Sequence, residues 1–180
     1  GEGASRKAQD QVLELGATNI IIKSVKPSQQ SSAATANGSF MMRYGLLRDD
    51  MRLLSKENLP HVENAIPIRE VKEQLRYRHR EMEARLVGCT PEYQPTNHLK
   101  MSRGRFLTEH DLYKMQPVAV IAAEVAETLF PGEDALHKSF QVGGDFYEVI
   151  GVTRPRQATA AIGGSLSGQE YNKDVYIPLK

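Results

Sequence analysis

The chain has 180 residues, 40% of them hydrophobic and 25% charged, which suits a packed domain or two small lobes and excludes a disordered or fibrous protein. Its 23 Lys and Arg nearly cancel its 22 Asp and Glu, so no overall field draws it to nucleic acid or to an anionic membrane. A single cysteine, Cys89, rules out an internal disulfide, and the longest apolar run, Val118 to Ala123, is far short of the about 20 residues that span a bilayer. No signal-peptide core opens the sequence, so the chain as it stands is expected to be soluble.

Ala4, Ala8, Val12 and Leu15 fall on one helical stripe, and Gly16 follows where a left-handed cap would end it. Asn19 to Val25 carries Ile20, Ile21 and Ile22 in succession, too short for a helix and β-branched, which reads as a strand covered on both faces. Pro27 to Ser39 has almost nothing to bury and is expected to be a mobile loop. Leu47, Met51 and Leu54 share a helical face, Asp49 and Asp50 lie in its first turn where the dipole favours carboxylates, and Pro60 closes it. Arg48 stands where a Ser or Thr cap is common. Val62 to Glu70 alternates like a strand, with Pro67 placing it at an edge or a bulge, so the chain opens on a helix and a β-α-β unit.

Leu75 and Tyr77 alternate before a polar turn near Arg78 to Glu81, and Met82, Ala84 and Leu86 alternate after it, which predicts a hairpin ended by Gly88 and Pro91. The basic residues of this stretch, Arg76, Arg78, His79, Arg80 and Arg85, are interleaved with Glu73, Glu81 and Glu83, as on a solvated strand face. Thr108 is a helix N-cap after Phe106 and Leu107, with Glu109 and Asp111 in the first turn. Val118 to Ile121 reads as a strand, and Ala122, Val125, Ala126 and Leu129 trace a helix that Pro131-Gly132 stops. Phe140 to Val142, a turn at Gly143-Gly144-Asp145, and Phe146 to Val152 make the clearest hairpin. Ala158 to Gly168 is small and flexible, and Val175 to Ile177 ends the chain as a strand before Pro178. Hairpins and helices mixed without regular alternation predict an α+β fold.

No constellation of catalytic residues stands out. His79 with Glu81, and His110 beside Glu109 and Asp111, lack the spacing of a metal site, and neither HExxH nor a CxxC pair occurs. No GxSxG elbow is present, and Cys89 reads as a small buried hydrophobe. Gly143-Gly144 and Gly163-Gly164 lack the Lys and the strand-to-helix context of a phosphate cradle and read as turn or loop glycines. Tyr44, Tyr77, Tyr93, Tyr113, Tyr147, Tyr171 and Tyr176 are dispersed along a chain without tryptophan, which gives no stacking platform. No catalytic, cofactor-binding or metal-ligating residue is therefore assigned, and no cofactor is expected.

Function enters by resemblance. Gly1-Glu2-Gly3-Ala4 with Leu15-Gly16-Ala17-Thr18-Asn19-Ile20, Tyr44-Gly45-Leu46 with Asp49-Asp50, and Val62 to Pro67 resemble, in order, successive segments of the periplasmic core domain of MacB-like and FtsX-like ABC transporter permeases. So do Gly88-Cys89-Thr90-Pro91-Glu92-Tyr93, Arg103-Gly104-Arg105-Phe106 with Thr108-Glu109-His110-Asp111, and Pro117 to Ile121 with Leu129-Phe130. The hairpin Gly143 to Val152 and the strand Asp174-Val175-Tyr176-Ile177-Pro178-Leu179 complete a collinear set. Relatives continue past that last strand with another β-α-β segment.

The resemblance implies a porter-like lobe over residues 1–75 and a mixed, sabre-like lobe over residues 76–180, held at the outer face of the bacterial inner membrane by transmembrane helices outside this chain. It implies a non-enzymatic part, since ATP hydrolysis belongs to a separate nucleotide-binding domain or subunit, and this sequence has no Walker motif. The implied partners are that ATPase, a second permease copy and a periplasmic membrane-fusion protein, with no nucleic acid; the implied work is mechanical, in efflux, export or lipoprotein handling. A free-standing secreted module binding a peptide or lipid is the alternative, and a metallohydrolase using the scattered histidines is a third.

Overall fold

The computed structural model describes residues 20, 22, 48–54, 58–155 and 171–179. The chain divides into two compact units, Gly1–Ala65 and Ile66–Lys180.

Of the first unit, helix α1 (Arg48–Leu53) is described. Met51 and Leu54, two of the three residues of the expected apolar face, are half-buried while Leu53 is exposed, and Leu47 lies outside the described residues. The Leu54 N–H donates to the Asp50 carbonyl at 3.0 Å, and Asn58 Nδ2 donates to the Arg52 carbonyl at 2.8 Å, which satisfies carbonyls at the helix end. Of the run read as a covered strand, Ile20 and Ile22 are described; both lie outside regular secondary structure and are exposed. The helix expected near residues 4–15, the loop at 27–39 and the segment at 158–168 lie outside the described residues.

Among its described residues the second unit has seven strands: β1 (Arg69–Tyr77), β2 (Arg80–Cys89), β3 (Met101–Gly104), β4 (Val118–Ile121), β5 (Ser139–Val142), β6 (Asp145–Thr153) and β7 (Asp174–Pro178). Helices α2 (Tyr93–Thr96), α3 (Glu109–Tyr113) and α4 (Ala123–Leu129) lie in the connections, and a 3-10 turn (Tyr171–Lys173) leads into β7. Strands and short helices mixed in one body are the α+β class expected from the sequence. The boundary drawn between residues 75 and 76 falls inside β1, which pairs along its whole length with β2 from Arg69↔Gly88 to Tyr77↔Arg80. A two-residue hairpin cannot be shared between lobes, and β1 belongs wholly to the second unit. The strand expected over Val62 to Glu70 starts only at Arg69; β2 ends at Cys89, which the register sets opposite Ile68, so the residues before Ile68 have no partner on β2, and Pro67 has no N–H to offer one.

The sheet order is β3-β6-β4-β7-β2-β1-β5, and β5 also pairs with β6. The strands from β6 round to β5 therefore close on themselves, and β3 is left as the edge. Closure removes the exposed ladders that invite edge-to-edge association. The pairs β2–β7 and β4–β6 are parallel and the others antiparallel.

The period-2 alternation of the central strands sends side chains into two cores. Ala119 and Ile121 of β4, Val175 and Ile177 of β7, and Ala84 of β2 join Val125, Leu129 and Phe130 from α4 and its end in one. Val118 and Val120, Tyr176, and Val87 and Cys89 join Tyr93, Leu99, Phe106 and Leu107 in the other. This is why β4 and β7 are buried at every position: both faces of each are covered, and apart from Asp174 their residues are apolar. In β6 a bulge between Val149 and Gly151 keeps the alternation in phase, with Val149 and Val152 in the first core and Ile150 against the second.

Candidate functional site

Among the described residues of the second unit two carboxylates are buried, Asp174 and Asp111, and around them folding gathers charge. Arg85 sits directly opposite Asp174 in the β2–β7 register. Its guanidinium makes a bidentate fork, Nε to Oδ1 at 2.9 Å and Nη2 to Oδ2 at 2.7 Å, while Nη1 reaches Glu70 at 3.2 Å. The Tyr176 hydroxyl donates to the same Oδ2 at 3.3 Å. Burial pushes the Asp174 carboxyl above its usual range, and the Arg85 fork and Tyr176 hydroxyl pull it only part of the way back. Arg85 is therefore a correction to the sequence reading: it lies inward against a carboxylate rather than on a solvated strand face. Its partner is 89 residues away, beyond any local pattern.

Asp111 serves a different purpose. Its carboxylate accepts from Arg105 Nη1 at 2.7 Å, from the Thr108 N–H at 2.9 Å and from the Thr108 hydroxyl at 2.9 Å, while Thr108 Oγ1 accepts from the Asp111 N–H at 3.4 Å. This is the reciprocal capping box that Thr108 and Asp111 announce in the sequence. Arg105 first, then the Thr108 backbone and hydroxyl, hold the Asp111 carboxyl down at about 2 against its burial. A group whose folded pKa is depressed adds stability above its unfolded value of about 3.9 and loses it as pH falls toward the folded value. We therefore expect Asp111 to contribute about 1–2 kcal/mol at neutral pH, after discounting for the half-exposed Arg105, and to lose it between about pH 5 and pH 2. Urea midpoints measured across that range check this: Asp111→Asn should lower the neutral midpoint and flatten its fall in acid.

Neither cluster leaves an open coordination position or an unpartnered group: among the described residues, no buried side-chain nitrogen or oxygen lacks a hydrogen-bond partner. His79 lies in the β1–β2 turn and His110 on α3, both exposed, and among the described residues no cluster of His, Cys, Asp and Glu could hold a metal. Burial pushes the Cys89 thiol up to about 12, which matches a core residue rather than a nucleophile. Gly143 and Gly144 form the β5–β6 turn, Gly143 with φ 58°, and Gly163-Gly164 lies outside the described residues. The tyrosines that are dispersed in sequence partly gather in space: Tyr176 packs 5.5 Å from Tyr93 and 5.7 Å from Phe106, ring centre to ring centre. That trio is buried and fills a core. Tyr113, Met115 and Phe146 are exposed. Among the described residues no helix is long and apolar enough to cross a membrane.

The whole chain, residues 1–180, matches the MacB-like periplasmic core domain. The macrolide export ATP-binding/permease protein MacB of Azoarcus sp. strain BH72 is 25% identical over 179 residues, which covers 99% of this chain and 25% of that protein. The uncharacterized ABC transporter permease YvrN of Bacillus subtilis strain 168 is 30% identical over 95 residues, 53% of this chain and 22% of its own length. The chain thus spans about a quarter of the length of these relatives. Among solved structures, the extracellular domain of the noncanonic ABC-type transporter YknZ from Gram-positive bacteria superposes with a TM-score of 0.59 at 22% identity, over 74% of this chain and 62% of that one. The periplasmic region of MacB from Actinobacillus actinomycetemcomitans gives 0.57 at 23% identity, over 72% and 53%. The two superpositions agree with the α+β fold seen here, and the match over every residue decides the family. The chain belongs to the MacB-like periplasmic core domain family.

Proposed function

We propose that this chain is the extracytoplasmic lever of an ABC transporter permease, held at the outer face of the inner membrane and moved by ATP hydrolysis on the cytoplasmic side. The observation that carries this reading is the family match from the first residue to the last. The packing supports it. A lever must move as a body, and a sheet closed on itself with a core on each face resists bending better than an open sheet with one. The motion is then a population shift between packed states, with no bond made or broken in this domain.

In this reading the partners are a nucleotide-hydrolysing domain or subunit reached through membrane helices, a second permease copy, and a periplasmic membrane-fusion protein. The porter-like part is then the first unit, residues 1–65, and the sabre-like part the unit from Ile66 onward. The work done is efflux, export or lipoprotein handling.

The test uses the full-length permease in lipid nanodiscs, with a spin label at exposed Glu127 of α4 in each copy. Trapping the ATPase with ATP and vanadate should shift the distance distribution between labels relative to the nucleotide-free state. Identical distributions in an actively hydrolysing sample would rule the lever out. A gene encoding this domain behind a signal peptide, with no membrane helices, would favour the secreted module instead.

A further inference from the structure

The β2–β7 ladder pairs Arg85↔Asp174, Leu86↔Val175, Val87↔Tyr176, Gly88↔Ile177 and Cys89↔Pro178. Beyond its first rung it carries no charge. Apolar patterning alone fixes such a pairing poorly, because sliding one strand by two residues returns every side chain to the face it left. Here the two nearest slides are each penalised by one residue. Moved one way, Asp174 stands opposite Glu83, carboxylate against carboxylate; moved the other way, it stands opposite fully buried Val87, and Arg85 loses its partner. In the observed register alone the guanidinium fork closes on both carboxylate oxygens, at 2.9 and 2.7 Å.

We infer that the Arg85–Asp174 pair is a register lock: it selects the one alignment of β7 on β2 that closes the ring, and it adds specificity rather than net stability. Exchanging a buried ion pair for apolar residues of similar size is often neutral or stabilising, so retaining one calls for a second reason, and fixing register is the best-attested one. The consequences of the lock extend beyond two strands. The Asp174 carbonyl accepts from the Ala122 N–H at 2.9 Å, where β4 passes into α4, and Lys173 pairs with Glu124 of α4 at 3.6 Å. β7 also pairs with β4, Val120↔Tyr176 and Ile121↔Val175. A slid β7 would therefore displace α4 and β4 relative to the β1–β2 hairpin. The inference concerns the fold alone and stands whether or not the domain transmits force.

The experiment is carried out on the full 180-residue chain labelled for NMR. The double variant Arg85→Met, Asp174→Leu should fold with an unfolding midpoint no lower than the parent, yet show doubled amide resonances for Val175–Ile177 and at least tenfold faster hydrogen exchange there. A matched variant of the exposed pair 2.9 Å apart on the surface, Arg103→Met, Asp134→Leu, should leave β7 with one set of resonances. One set of β7 resonances with undiminished protection in the first variant would overturn the lock. So would its failure to fold, which would make the pair a requirement for stability, and so would doubling in the surface variant, which would show general loosening.

Discussion

Gly151→Ala is expected to cost the second unit a large part of its stability. A Cβ at Gly151 would lie 2.2 Å from the Arg105 carbonyl oxygen and 2.5 Å from the Met101 Cε, and on the facing strand a Cβ at Gly104 would lie 2.2 Å from the Ile150 carbonyl oxygen. The two glycines oppose each other in the β3–β6 register. Met101 can swing its thioether aside, but Arg105 is backbone tied to β6 by its N–H, which donates to the Ile150 carbonyl at 3.1 Å, so its carbonyl cannot withdraw without disturbing that contact. Nor is there slack to take up the shift, since the β6 bulge beside Gly151 already sets the phase of Val149 and Val152 in the first core. We place the cost at about 4 kcal/mol or more, against a total stability of about 5–15 kcal/mol for a domain of this kind. Gly144→Ala is the control: no atom lies within 4 Å of its added Cβ, so its effect should stay within about 0.5 kcal/mol. Soluble yield and urea unfolding of the two variants check this. A Gly151→Ala protein with the parent midpoint would mean that β3 and β6 can separate at no cost.

What the sequence made legible was local. Thr108 and Asp111 announce the cap of α3, the stripe from Ala122 to Leu129 announces α4, and Gly143-Gly144 between apolar alternations announces the β5–β6 hairpin; each is stabilised by residues a few positions apart. The parts that stayed hidden depend on distant partners. Nothing in Arg80 to Cys89 shows that its neighbour is a strand more than eighty residues later, so Arg85 reads as one more solvated charge until Asp174 is beside it. β3 is four residues long and half-buried at best, with no periodicity to betray it, and it exists because β6 offers an edge. The stretch from Val62 misled for the converse reason: its alternation is that of a strand, but β2 stops before it can be paired. The sequence offers no catalytic constellation to reason from, and that limits what residues alone can say. Unaided, they end at an α+β domain, and the assignment to a transporter rests on the ordered resemblance and the family match.

Tyr176→Ala should cost about 3–5 kcal/mol, the range for emptying a large aromatic from a packed core. Tyr176 is 1% exposed, and its ring is the meeting point of Tyr93 and Phe106, with Val87, Val120 and Cys89 around it. These neighbours come from β2, β4 and the connections on that side of the sheet, so they cannot collapse into the void together without pulling β7 away from both strands it pairs with. Tyr176→Phe separates the ring from the hydroxyl. It removes only the donor to Asp174 Oδ2, a bond of 3.3 Å to a carboxylate that keeps both Arg85 contacts, so it should cost no more than about 1 kcal/mol. Urea unfolding at neutral pH measures both, and the ratio carries the argument. Equal losses in the two variants would mean that this core is held by the buried polar network and that aromatic packing is incidental, whereas a loss at least threefold larger for alanine places the weight on the ring.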